Sequence, residues 1–201
     1  HMSYASVAPP PFYCSVDLRD SGHKIVPVDN NLYPAGFNNI CPDDLRVAPS
    51  VLRASLEAAA VHRGIPAPKK ILIIPESHTS NLHYIENLHY LKESILDAGF
   101  EVAVGWYDER ATQDANPADY DSPIQLTSFT GKPVQALRIR VRGGRLEAGG
   151  FVPDVVILNN DFSGGYPRVL DKVAQPILPP HQVGWHTRKK SDHFKHYNRL
   201  A

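Results

Sequence analysis

At 201 residues and 22.3 kDa the chain is long enough for one domain with a substantial buried core. Its 21 basic and 21 acidic residues cancel to a formal net charge of zero, so no overall field draws nucleic acid or an anionic membrane surface. The two cysteines, Cys14 and Cys41, lack Cys-x-x-Cys spacing and are too few for a disulfide framework. Together with the lack of any run near the roughly 18 apolar residues of a membrane span, this implies reduced thiols and a cytoplasmic location.

His1-Met2 reads as a vector remnant, and residues 1–12 as that tag plus a proline-rich lead. Residues 13–18 (YCSVDL) and 24–28 (KIVPV) read as short strands, the second marked by its proline as an edge. Residues 49–63 carry leucine and alanine at helical spacing, with Gly64 as C-terminal cap. The run KILIIP (70–75) has the continuous apolar pattern of a strand covered on both faces. A helix follows, capped by Ser80 or Asn81, with Leu82, Ile85, Leu88, Leu91 and Ile95 as its buried stripe, and Gly99 ends it before the strand 100–106. This strand-helix-strand unit predicts an α/β fold with a mostly parallel sheet and flanking helices.

Residues 107–153 read as an excursion containing a β-hairpin, 124–129 against 134–142 across Thr130-Gly131-Lys132, with Gly143-Gly144 turning into 145–148. The strand 154–158 (DVVIL) restores the buried pattern. Residues 13–183 thus form one α/β unit, and 184–201 read as a basic helix that stops without a cap, as in a chain cut short.

Ligands of open parallel sheets bind at the carboxyl ends of the strands. Three polar loops fall there if their strands are parallel: Asn30 and Asn31 with Asn38 and Asn39 beyond them, Ser77-His78-Thr79, and Asn159-Asn160-Asp161 with Ser163, Gly164 and Gly165. Uncharged amides suit a pocket that reads a zwitterion, and equally a loop that satisfies its own backbone. Arg19 could hold a substrate carboxylate through both guanidinium nitrogens, or be a plain surface residue. His78 could orient substrate or move a proton, or only bond backbone. The second and third loops also precede expected helices, whose amino ends favour anions.

Neither loop carries a Walker or dinucleotide glycine fingerprint, and catalytic residues stay unassigned. No metal site is expected: His186, His193 and His196 stand among Arg188, Lys189, Lys190, Lys195 and Arg199, whose charge repels a cation. No carboxylate pair or Gly-x-Ser-x-Gly elbow supports a self-contained hydrolase.

The motifs VDLRDSGHKIVPVDNNLYPAGFNN (16–39), ILIIPESHTSNLHYIENLHYL (71–91), VILNNDFSGG (156–165) and GWHTRKKSDHF (184–194) resemble the N-terminal half of the proteobacterial-type glutamate-cysteine ligases, relatives of ATP-grasp enzymes. The resemblance implies a Rossmann- or flavodoxin-like sheet of the pre-ATP-grasp type. It implies ATP-dependent joining of glutamate and cysteine to gamma-glutamylcysteine through an acyl phosphate, the first step of glutathione synthesis, with ATP and magnesium as cofactors. By the same analogy Arg19, the Asn-rich loops and Ser77-His78-Thr79 hold amino-acid substrate. Arg188, Lys189 and Lys190 lie toward the nucleotide, at the start of a missing ATP-grasp region that holds most of the ATP and magnesium contacts. The expected partners are small amino acids, with no nucleic acid and no membrane, and a homo-oligomer stays open. The chain would then be a substrate-side half, inactive alone. The alternative is a non-catalytic amino-acid or nucleotide binding module on a flavodoxin-like scaffold.

Overall fold

A computed structural model describes residues 11–76, 80–107, 122–162, 165–184, 187, 189, 191, 192 and 194–196. The first two strands, β1 (Ser15–Asp20) and β2 (Ile25–Asn31), form an antiparallel ribbon separate from the main sheet. The condition set for the first polar loop, a β2 parallel with the later strands, is therefore not met. The link between β1 and β2 is far too short for the crossover of a dozen or so residues that a parallel pair needs.

Helix α1 (Pro42–Arg63) begins well before the expected start at Pro49. Cys41 caps it, its Sγ accepting from the Asp44 amide at 3.5 Å, and Pro42 occupies the first turn, where a missing N–H is harmless. Pro49 lies inside the helix, where it has no N–H for the Leu45 carbonyl. Gly64, at φ 65°, closes the helix with its N–H directed at the Ala60 and Val61 carbonyls.

The main sheet contains β3 (Lys70–Pro75), β4 (Glu101–Trp106), β5 (Ile124–Thr127), β6 (Pro133–Arg142), β7 (Arg145–Ala148), β8 (Val155–Asn159) and β9 (Ile177–Leu178). Its order is β5-β6-β4-β3-β8-β9, with β7 paired to β6. Strands β6, β4, β3, β8 and β9 are parallel to their neighbours, whereas β5 and β7 are antiparallel to β6. The hairpin predicted across Thr130-Gly131-Lys132 is present. It is not an excursion, because the middle of β6 pairs with β4 at Gly105↔Leu137 and Trp106↔Arg138. Among the described residues of 184–201, positions 191, 192 and 194–196 are helical.

The alternation of side chains along β3 sorts the core into two layers. Ile71 and Ile73 join Leu52 and Leu56 of α1 and the inner face of helix α2 (Leu82–Asp97). Leu72 and Ile74 point the other way, against Leu146, Leu158, Phe162 and Leu170. Both described long helices thus cover one face, while β7 and irregular chain cover the other. A continuous apolar run reports that both faces are buried, not what buries them. Leu88, Leu91 and Ile95 of α2 are fully buried, each burial stabilising by about 1.5–3 kcal/mol. Leu82, expected in that stripe, is instead 49% exposed in the first turn.

Three polar residues, Glu86, Asn87 and Ser94, interrupt the buried face of α2. Glu86 receives the Thr130 amide at 3.0 Å and the Thr130 hydroxyl at 2.6 Å, and lies 3.8 Å from Lys132 Nζ. It pins the β5–β6 turn to the helix, and hydrogen bonds from Ser128 and Thr130 lower its pKa to about 2. Among the described residues, no helix is long and apolar enough to cross a membrane.

Candidate functional site

The carboxyl ends of β3 and β8 lie side by side, with Pro75 paired to Asn159. Asn81 caps α2 just beyond β3, its Oδ1 accepting the His83 amide at 3.0 Å and the Tyr84 amide at 3.4 Å. This cap presents Tyr84 and Asn87, three residues apart on one helical face, to the sheet edge. The Tyr84 hydroxyl donates to the Asn159 carbonyl at 2.5 Å and accepts from the Glu76 amide at 2.8 Å. It therefore ties the loop after β3 to the end of β8.

Asn159 extends the network. Only 4% exposed, it donates through Nδ2 to the Pro34 carbonyl, while its Oδ1 accepts from Asn87 Nδ2 at 3.5 Å. Asn87 Oδ1 in turn accepts the Phe37 amide at 2.9 Å. Two amides and one phenol thus hold the loop after β2 against the same edge as the loops after β3 and β8. The convergence expected from parallel strands is achieved by side chains, even though β2 lies outside the sheet.

Most other amides in these loops close local turns. Asn31 Oδ1 accepts the Tyr33 amide at 3.0 Å, and Asn38 Nδ2 donates to Asn39 Oδ1 at 3.3 Å within the single 3-10 turn Phe37–Asn39. Asn30 Nδ2 reaches Cys14 Sγ at 3.2 Å. Asn160 Oδ1 accepts the Phe162 amide at 2.8 Å and stabilises a left-handed Phe162 at φ 51°. This conformation is uncommon for a bulky residue, and such strain concentrates at functional sites. Gly165, at φ 104°, donates to the Phe162 carbonyl at 2.9 Å.

Asp161 stands half-buried beside this turn. Burial pushes the Tyr84 phenol far above its usual pKa, and the nearby negative charges of Glu76 and Asp161 add to the effect. The edge therefore gathers two carboxylates around a neutral frame.

The third loop leads only into the short 3-10 segment Arg168–Lys172, so the helix expected after it is absent. Arg19 is exposed on β1, paired across the ribbon with Val26, and lies outside the Asn159 network. Lys189 is exposed. Ser77, His78, Thr79, Ser163, Gly164, Arg188 and Lys190 lie outside the described residues. Sequence reading missed Glu76, Tyr84 and Asn87 as contributors. The available signal was Asn87, a polar residue at an inward position of an otherwise apolar helical stripe.

A family model described as GshA: Glutamate-cysteine ligase matches residues 2–201. A crystal structure of a Methylobacillus flagellatus KT protein, described as a candidate gamma-glutamylcysteine synthetase, is similar with a TM-score of 0.78 and 38% identity. The match covers 94% of this chain and 42% of that one, so the chain spans less than half of that protein's length. No curated protein matches.

Proposed function

From a chain that belongs to the glutamate-cysteine ligase family, we propose the substrate-holding part of an ATP-dependent ligase that joins L-glutamate to L-cysteine. The observation that carries this reading is the family match along residues 2–201. The sheet order and the neighbouring structure support a pre-ATP-grasp type of α/β domain.

In the proposed reaction the terminal phosphoryl group of ATP is transferred to the glutamate side-chain carboxylate. The cysteine amine then attacks the acyl phosphate, forming the amide and releasing phosphate. Family membership implies ATP and magnesium. Among the described residues no three His, Cys, Asp or Glu side chains are grouped to hold a metal ion.

What these residues supply is binding and orientation. Glu76 and Asp161 offer negative charge to an ammonium group, while the Asn160 turn fixes the backbone beside them. The family resemblance extends the proposed substrate contacts to Ser77, His78, Thr79, Ser163 and Gly164, which lie outside the described residues. The Asn159 network holds the three loops in register, so that orientation is set before the substrate arrives.

The test is a thermal-shift panel with L-glutamate, L-cysteine, gamma-glutamylcysteine, and ATP with magnesium. Ligand at a hundredfold excess over its dissociation constant adds about 2.7 kcal/mol of stability. A shift with glutamate or the dipeptide, lost in Asp161→Asn, is expected. A folded sample that shifts with no amino acid would overturn the assignment of substrate to this part of the protein. A shift with ATP alone would favour the nucleotide-binding module.

A further inference from the structure

Among the described residues the β1–β2 ribbon has one guarded edge and one open edge. Strand β2 is half-buried along most of its length and carries Pro27, which has no N–H. The register also skips Val28, passing from Asp17↔Asp29 to Leu18↔Pro27, so a bulge interrupts β2. Both features blunt a strand edge against further pairing. Strand β1 has neither. It contains no proline, its own residues run without interruption, and it is exposed from Val16 to Asp20. Leu18 is 60% exposed, and Ile25, across the ribbon from Asp20, is 62% exposed. A two-stranded ribbon with an uncovered apolar face is marginally stable alone.

The sequence of β1, SVDLRD, is self-complementary in charge about Leu18. When two copies pair antiparallel on a two-fold axis through Leu18, the residue k positions before it faces the residue k positions after it. Asp17 then stands opposite Arg19 of the second copy, and Arg19 opposite Asp17. Both belong to the face opposite Leu18, since alternate residues of a strand share a face. Moving the axis half a residue toward Arg19 sets Asp17 against Asp20, and moving it a full residue leaves Asp17 facing Ser21. One register alone therefore satisfies both charges. Among the described residues neither Asp17 nor Arg19 has a salt-bridge partner within its own chain. The outward N–H and C=O groups of β1, on whichever alternate residues they fall, are also symmetric about Leu18.

We propose that a second copy of this chain docks along the free edge of β1. The product is a continuous four-stranded sheet, β2-β1-β1-β2, with Leu18 against Leu18 and two Asp17–Arg19 pairs across the axis. Cross-strand opposite charges stabilise such pairs, and like charges destabilise them. A six-residue strand edge buries less than the roughly 1,000 Å² of a durable interface, so the dimer is weak and depends on concentration.

Sedimentation velocity across a hundredfold concentration range tests this, using the full chain. The wild type is expected to move from monomer toward dimer as concentration rises. Asp17→Arg and Arg19→Asp each place like charges across the axis, so each alone is expected to stay monomeric. An equal mixture of the two single variants is expected to restore the dimer, and so is the Asp17→Arg/Arg19→Asp double variant. A wild type that remains monomeric throughout would overturn the proposal. So would single variants that dimerise like the wild type, or a mixture that fails to associate. Circular dichroism of each variant separates lost association from lost folding.

Discussion

Replacing Asn159 by alanine tests whether this amide braces the loops or serves chiefly as a ligand contact. The substitution removes the donor to the Pro34 carbonyl and the acceptor for Asn87 Nδ2, and both groups are buried. Each buried polar group left without a partner costs about 1–3 kcal/mol, so the pair together costs roughly 4 kcal/mol. For a chain of this size each kcal/mol lowers the melting temperature by about 2–4 °C, giving a fall of roughly 8–16 °C. Urea denaturation of the ligand-free protein measures the cost directly, with the midpoint shifted and the slope unchanged. A loss below about 1 kcal/mol would refute the brace. If that small loss came with abolished amino-acid binding, Asn159 would instead be a ligand contact.

Glu86→Gln removes a carboxylate whose pKa is lowered to about 2, so its folded pKa lies below its unfolded one. Its stabilisation is fully present above the ordinary carboxylate pKa near 4.5 and is lost as pH falls toward about 2. The stability gap between wild type and Glu86→Gln, followed by denaturation at several pH values, should shrink through that window. A constant gap would refute the assignment. Gly105→Ala places a methyl group 2.5 Å from Ile139 Cγ2 and against Leu72, and should cost about 1–3 kcal/mol in urea unfolding. Tyr84→Phe strands the Glu76 amide and removes a bond to the Asn159 carbonyl, and should cost about 1–3 kcal/mol. Hydrogen exchange at the Glu76 amide should quicken in that variant.

The strand-helix-strand unit was readable from sequence because its signals are local. KILIIP is continuously apolar, α2 repeats at helical spacing, and Gly99 takes the positive φ that a stop requires. The start of α1 was not readable, since Pro49 resembles a first-turn proline and Cys41 is an unusual cap. Strand β9, two residues long, offers no periodicity to detect and exists through pairing with β8. The loops after β3 and β8 stand at the carboxyl ends of two parallel strands, as the edge rule expects, while the loop after β2 reaches that edge through side chains and not through sheet pairing. The condition that β2 be parallel fails because the short link from β1 forces antiparallel pairing. The roles of Tyr84, Asn87 and Asn159 depend on contacts between residues as many as 125 positions apart, which local pattern does not encode.

The frame of the site is electrically silent. Asn87 and Asn159 carry no proton that titrates, and burial keeps the Tyr84 phenol neutral well beyond its ordinary range. Salt screens attraction between charges, yet it has little hold on buried bonds between amides, a phenol and backbone carbonyls. In the proposed pocket the charges of Glu76 and Asp161 can therefore be met or screened while the scaffold beneath them keeps its shape. Ionic strength should then alter how tightly a zwitterion is held far more than it alters where the loops stand.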